Sequence, residues 1–485
     1  MHKVLLINPP ESSQGGSTSA PLGLMYIASL LQKNNFPVNI VDACLGGWDS
    51  IKKGLAESNP TIVGIACPSY ARAKSLKVAE TVKGYNKDIK VILGGHHPTL
   101  MGRQILENYP FVDMVCIGEG EYLMLELCQG VELEKIPGLG FRENNNVIIN
   151  NPRTEITDLD ELPMAAWNCL DPRRYGTNNS FVFDGIDFGK ERGACVSFSR
   201  GCIGRCNFCS NYCMWKKWKH RSPQKVADEL EFLNKTYNIR CFAFNDDCFS
   251  VNKKATMELC AEIVNRKLKI YFSIVTRVDC IDEEILGILK KAGCCTIYFG
   301  IEAASPRLLK IMHKPIKIEQ SQKAIQLVNS FGIRSIALVI AGAVGETYET
   351  INECIDFLNR ANPTEIGIAN GLMIYPGTEI YEIAKRQKLI DDSFWLTDYN
   401  YMIYTGENSR LKLNMFSSAL SNRKRLSRFF IINALRYHRF VTREMTKAVK
   451  KLLERMGLLK EKSKPNKPKA FYGKYANQKS FSGLN

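Results

Sequence analysis

Three cysteines, Cys202, Cys206 and Cys209, stand in the spacing C-x3-C-x2-C within Ser199-Arg-Gly-Cys-Ile-Gly-Arg-Cys-Asn-Phe-Cys-Ser-Asn-Tyr-Cys-Met-Trp215. Thiolates are soft donors that select iron–sulfur clusters or zinc, and closed structural sites of either kind take four ligands. Three thiolates on a glycine-containing loop supply three corners of a 4Fe–4S cluster and leave one iron open to another ligand. A zinc knuckle completed by Cys213, or a set of buried inert cysteines, are the other readings of the same spacing.

A loop of this kind needs rigid elements to carry it, and the chain on either side reads as strands alternating with helices. Residues 3 to about 130 contain the apolar runs Val4–Asn8, Val38–Asp42, Thr61–Cys67, Val91–Gly94 and Met114–Ile117. Continuous apolar runs separated by helical patterns predict a parallel sheet covered on both faces, here a doubly wound, flavodoxin-like α/β domain. Its ligand is expected at the carboxyl ends of the strands. Small residues crowd there: Gly15 to Ser19, Pro68-Ser69, Gly94-Gly95-His96-His97 and Gly118-Glu119-Gly120-Glu121. No G-x-G-x-x-G follows the first strand, which disfavours a dinucleotide. From Ala194 onward six further strand–helix units predict a partial (β/α)6 barrel whose functional residues gather at the strand ends. The expected divisions are a Rossmann-like domain over 1–130, a connector over 131–190, the barrel over 191–390, a helical region over 391–460 and a basic disordered tail over 461–485.

The chain has 485 residues and 17 cysteines, many inside apolar strands, which fits a reducing cytoplasm and not a disulfide scaffold. The first ten residues are too short in apolar content for a signal peptide, and no run of 18 apolar residues predicts a membrane span. Of the net charge of +16, residues 421–485 carry +15, from eighteen Lys and Arg against three Glu. Apolar residues recur at helical spacing from Leu426 to Leu459, so the tail is expected to form a basic amphipathic helix. Such a helix suits an anionic membrane surface, with a peptide-binding lid or only a solvated helix face as alternatives; a nucleic-acid partner is disfavoured.

The cluster loop resembles that of the radical S-adenosylmethionine (SAM) enzymes, in which the open iron holds the amino and carboxylate groups of SAM. Resemblance extends along the barrel in order. Phe208 matches the aromatic beside the adenine. Asp246, in Asn245-Asp-Asp-Cys-Phe249, matches acceptors for the SAM ammonium, with a helix cap as its alternative role. Arg277 offers a guanidinium to the SAM carboxylate, or else a salt bridge to Asp279 or Glu302. Glu302, in Gly300-Ile-Glu302, matches a ribose ligand, with a barrel-rim salt bridge as its alternative, and Lys314 also fits the pattern, with a solvated surface lysine as its alternative. Gly342 and Gly345, in Gly342-Ala-Val-Gly-Glu346, match an adenine-side turn, with Val344 where the family has Pro. Tyr375-Pro-Gly-Thr378 matches the sixth strand end. The first domain is similar to the cobalamin-binding domain of one branch of that family, through Pro21 to Leu30, Gly94 to Thr99 and Ile117 to Glu121. By this resemblance cobalamin contacts Ser19, Leu22, Gly23, Ser69, Gly94, Gly95, His97, Gly118, Glu119 and Gly120. The Asp-x-His-x-x-Gly motif that places a histidine on cobalt is absent.

The resemblance implies a 4Fe–4S cluster, SAM and cobalamin acting together. Hydrogen abstraction by a 5′-deoxyadenosyl radical and methyl delivery from methylcobalamin would C-methylate an unactivated carbon. An oxidative cyclase or rearrangement enzyme without methyl transfer is the alternative within the branch. A methylthiotransferase would need a second cysteine triad, which Cys44, Cys67 and Cys116 do not form. The implied partners are a small-molecule, lipid or peptide substrate and an external one-electron reductant of flavodoxin or ferredoxin type. The location expected is cytoplasmic, with membrane-surface contact through the basic tail.

Overall fold

The computed structural model describes residues 2–10, 19–144, 146–177, 181–399 and 401–426. Two parallel sheets organise it. The first contains Val4–Asn8, Val38–Asp42, Ile62–Ala66, Lys90–Gly94 and Met114–Cys116, all parallel, in the spatial order second, first, third, fourth, fifth. Successive residues of each strand feed opposite layers. Leu5, Ile7, Val63, Ile65, Val91 and Leu93 pack with Ile51, Leu55, Val78 and Val82 on one face. Val4, Leu6, Ile62 and Ile92 pack with Met25, Leu30, Leu31 and Met124 on the other. Both faces are therefore dry, and each buried aliphatic side chain contributes roughly 1.5–3 kcal/mol.

Residues expected to be a plain connector instead extend this sheet. Leu139–Glu143 pairs antiparallel with the fifth strand, and Asn146–Ile149 pairs antiparallel with it in turn. Val115 and Ile149 fit over Gly140, where any Cβ would lie 2.6 Å from each. The missing side chain is what allows this hairpin to join the sheet, a signal invisible to hydrophobic periodicity.

The second sheet contains Gly193–Val196, Cys241–Phe244, Tyr271–Thr276, Cys294–Glu302, Arg334–Ala341 and Glu365–Asn370, parallel and in sequential order with open edges. This is the partial barrel. Helix starts follow the strand ends and are capped by short polar side chains: Ser222 before Pro223–Tyr237, Asn252 before Lys253–Asn265, Asp282 before Glu283–Ala292 and Thr347 before Tyr348–Ala361. One apolar cluster runs from the first sheet through Trp167 and Tyr175 into Val196, Phe242, Phe272 and Val339 of the second. The two units thus share a core. Helix Arg410–Ser421 closes over the last two barrel strands and sets Leu413 against Gly342 and Gly371. The amphipathic helix expected from Leu426 and the disordered tail expected beyond it lie outside the described residues.

Candidate active site between the two sheets

The cysteine loop leaves the first barrel strand and is pinched at its base. Ser199–Arg200 pairs antiparallel with Lys219–His220, so residues 201–218 form one excursion. Gly201 sits at the pinch with φ +86°, and a Cβ there would lie 2.7 Å from the Lys217 carbonyl and 3.2 Å from Trp215 Cβ. Only glycine meets both demands. Inside the loop Cys202, Cys206 and Cys209 are half-buried. A Cβ on Gly204 would stand 3.5 Å from Cys202 Sγ and 3.7 Å from Cys206 Sγ, and the Gly204 amide donates to Cys202 Sγ at 3.3 Å. Two thiols thus converge beside a position kept free of side chain. A hydrogen bond with Cys248, together with burial, raises the Cys202 pKa, and burial pushes Cys209 up to about 11. Metal loading must therefore displace protons. Cys213 instead donates to the Gly377 carbonyl at 3.5 Å. Two soft donors at a glycine cradle, with Cys209 close to both, are a donor set that fits a 4Fe–4S cluster with one iron left for a ligand.

Arg277 and Lys314 bring positive charge to the triad, and both act on Cys206. Arg277 donates to both carboxylate oxygens of Asp279, at 2.8 and 2.6 Å, so the internal salt bridge is formed with Asp279 and not with Glu302. Glu302 accepts from Lys314 Nζ at 2.8 Å. Gly300 lies under that pair, where a Cβ would meet Glu302 Oε1 at 2.5 Å and Lys314 Nζ at 2.9 Å. Glu302 itself has φ +62°, at a register shift in the strand pairing. A non-glycine residue held in the left-handed region marks a backbone bent to aim its side chain. Lys314 is buried, not a solvated surface lysine.

Asp246 faces the cavity, but its carboxylate accepts from the Phe198 and Ser199 amides and the Ser199 hydroxyl. Burial pushes its pKa up to about 7 against those donors. It anchors the start of the cluster loop, and neither aspartate caps the next helix, since Asn252 does. Phe208 packs into the apolar cluster of Leu308, Met312 and Tyr381. Gly342 and Gly345 have φ +107° and +79° as the turn requires, but a Cβ on Gly342 would strike Leu413 Cδ2 at 2.3 Å. That face of the turn is therefore filled by helix Arg410–Ser421.

A cavity of about 550 Å³ lies between the carboxyl ends of both sheets. Ser19, Leu22, Gly23, Gly94, Gly95, Gly118, Glu119 and Gly120 line it from the first domain, with Ser199, Asp246, Asp247 and Trp215 from the second. A Cβ on Gly23 or Gly118 would meet nothing within 4 Å, so the wall is open where a broad, flat ligand must approach backbone. These small-residue walls fit a corrin. Two expected contacts, Ser69 and His97, fall outside the cavity lining. His97 is buried behind the wall, with Nδ1 3.2 Å from Ser69 Oγ and its ring against Trp395. Helix His96–Asn108 starts at His96, so it is His96 that faces the cavity. Glu119 lines the cavity yet spends its carboxylate on Arg200 at 2.7 Å, the Ile156 amide at 2.7 Å and Lys219 at 3.3 Å. Burial opposes its ionisation, but these partners hold its pKa below the ordinary carboxylate value. Arg200 also pairs with Glu121 at 2.6 Å, tying the base of the cysteine loop to the first domain. His96, Asn211, Trp215 and Arg200 were not legible as site residues; the only sequence signal was their adjacency to the Gly94-Gly95 pair and to the triad.

The Radical SAM superfamily model matches residues 196–358, and the B12 binding domain model matches residues 14–128. An uncharacterised methyltransferase of Pyrococcus horikoshii is 33% identical over 429 residues, covering 86% of this chain and 89% of the relative. An anaerobic magnesium-protoporphyrin IX monomethyl ester cyclase of Rubrivivax gelatinosus is 31% identical over 390 residues, covering 77% and 68%. Among solved structures, the radical SAM methyltransferase TsrM from Kitasatospora setae, with tryptophan and a SAM analogue bound, superposes with a TM-score of 0.66 at 21% identity, covering 80% of this chain and 77% of that one. The cobalamin-dependent enzyme OxsB superposes with a TM-score of 0.70 at 20% identity, covering 86% and 66%. The chain belongs to the cobalamin-binding branch of the radical SAM superfamily. It is an enzyme whose cofactors are a 4Fe–4S cluster, SAM and cobalamin, and it works on a small-molecule substrate with the help of a reductant.

Proposed function

We propose that this enzyme C-methylates an unactivated carbon of a substrate held between the two sheets. The observation that carries this reading is the shared cavity: one wall is the small-residue wall of the B12-binding domain, and the other is the base of the cysteine loop. Bound together, the three cofactors supply carbon-centred radical formation and methyl delivery. The chain's own residues position and shield. Cys202, Cys206 and Cys209 would hold the cluster. Arg277 and Lys314 bring positive charge to the triad, Glu302 at its bent strand end would take the ribose hydroxyls, and Phe208 would offer an apolar face to the adenine. Gly23, Gly94, Gly95, Gly118 and Gly120 would admit the corrin, with Ser19, Leu22 and Glu119 at its edge. Methylation is also the activity in the name of the Pyrococcus relative.

Anaerobic turnover with methyl-labelled SAM tests the reading: label is expected in the product alongside 5′-deoxyadenosine. Formation of 5′-deoxyadenosine with an unmethylated product would instead establish the second reading, cyclisation or rearrangement, which the 31% identity to the cyclase favours.

The reductant is a one-electron donor of flavodoxin or ferredoxin type, and the enzyme works in the cytoplasm at the membrane surface on a lipid or isoprenoid-like substrate. The +15 charge of residues 421–485 supports the surface contact, each Lys or Arg near anionic lipid contributing about 1 kcal/mol. Among the described residues no helix is long and apolar enough to cross a membrane. Flotation with anionic liposomes is expected for the full chain and lost on deleting 421–485; equal flotation of both forms removes the membrane contact.

A further inference from the structure

We infer that His96 and the short helix Asn211–Met214 couple the two cofactor sites, so that cluster loading and cobalamin binding each tighten the other. The inference rests on the cofactor reading of the cavity. It starts from two connections that meet at the same place. The Asp247 carboxylate accepts from Asn211 Nδ2 beside the Gly201 pinch, and helix Asn211–Met214 packs against the helix that starts at His96. Alongside, Trp215 packs on Gly201 at the pinch of the cysteine loop and sets its indole edge-on to His96, with ring centroids 5.8 Å apart at 81°. Both connections begin beside the residue before Cys202 and end on the helix that follows Gly95.

His96, Asn211, Trp215 and Asp247 all line the 550 Å³ cavity. Trp215 Nε1 is a buried donor with no acceptor among the described residues. A buried N–H without a partner is costly, and a ligand acceptor in the cavity would relieve it. The corrin periphery carries amide side chains whose carbonyls are such acceptors. An ordered cysteine loop fixes Gly201, and Gly201 fixes Asp247 and Trp215. These in turn fix the His96 edge of the cavity before cobalamin arrives. Without the cluster, cobalamin must order that edge itself. Linkage makes the effect mutual: whatever factor the cluster gains for cobalamin, cobalamin gains for the cluster.

His96 allows the test without touching the cysteine loop. Iron release to a chelator from the full-length, cluster-loaded protein is followed with and without saturating hydroxocobalamin, and hydroxocobalamin affinity is measured by absorbance on cluster-loaded and cluster-free protein. In the wild type, the cluster is expected to tighten hydroxocobalamin by about ten-fold, and hydroxocobalamin to slow iron release by at least several-fold. In His96→Ala both factors are expected to fall below about two-fold, with iron content and thermal midpoint retained. Trp215→Phe keeps the ring and loses the N–H, so it is expected to weaken hydroxocobalamin in both states by a similar factor while the coupling persists. Unchanged coupling in His96→Ala, or no coupling in the wild type, overturns the inference. Failure of the wild type to bind hydroxocobalamin in either state overturns the cofactor reading with it.

Discussion

At the scale of single residues the site separates donors that bind from groups that hold. Cys202, Cys206 and Cys209 are expected to be individually indispensable: replacing any one with Ala should remove most of the iron and all 5′-deoxyadenosine formation. Cys213→Ala should keep both, because its thiol is engaged with the Gly377 carbonyl. Iron analysis and chromatography of the reaction decide this. Glu346 makes a different prediction. Its carboxylate accepts from the Gly342 and Ala343 amides, yet burial pushes its pKa up to about 7. A folded-state pKa above the unfolded one means the native protein holds a proton that the unfolded chain has released. Its contribution is full below the unfolded pKa, near 4.5, and is lost as pH rises through about 7. Glu346→Gln should flatten the fall in thermal midpoint over that window, removing a pH-dependent term on the order of 3 kcal/mol.

At the scale of elements, glycines decide where the chain can turn close to a ligand. Gly201 and Gly118 both lie in the left-handed region, at φ +86° and +87°, but only Gly201 is also hemmed in by the Lys217 carbonyl and Trp215. Gly118→Ala should cost only the backbone term, roughly 1–2 kcal/mol, and leave the cluster in place. Gly201→Ala adds a clash with backbone that cannot yield, so the pinch should open and iron content collapse while the protein stays folded. Circular dichroism beside iron analysis separates the two outcomes. The strand Cys294–Glu302 is equally specific. It runs on to Glu302, where Gly300 leaves room for the Glu302–Lys314 pair.

At the scale of the whole molecule, the two sheets are held together by buried charge as well as by apolar packing. Arg72, on the helix after the third strand, is fully buried. It donates to the carbonyls of Ser69, Phe394, Trp395 and Thr397. Its guanidinium also lies over the rings of Phe394 and Trp395. Arg72→Met would leave those carbonyls without their donor, costing on the order of 3–5 kcal/mol. The expected outcome is rapid proteolytic cleavage within 391–399 and a lower thermal midpoint, with the cysteine loop still able to take up iron. Arg200, shared between Glu119 and Glu121, plays the matching part at the cavity itself.

The sequence by itself determined the two α/β units, because apolar runs buried on both faces and capped helices are local patterns that survive without knowledge of neighbours. It also determined the cysteine triad, whose ligands lie within eight residues, and the family, whose motifs recur in order along the chain. Tertiary structure decided what depends on distant partners. The hairpin at 139–149 joins the first sheet because Gly140 fits beneath Ile149 and Val115. Of two adjacent histidines, His96 faces the cavity and His97 the core, since a helix start turns neighbouring side chains in different directions. The Gly342 face that the motif offers to adenine is covered by Leu413, contributed from about seventy residues further on. Whether a polar side chain meets ligand, counter-ion or protein is settled by what packs against it, and no spacing along the chain encodes that.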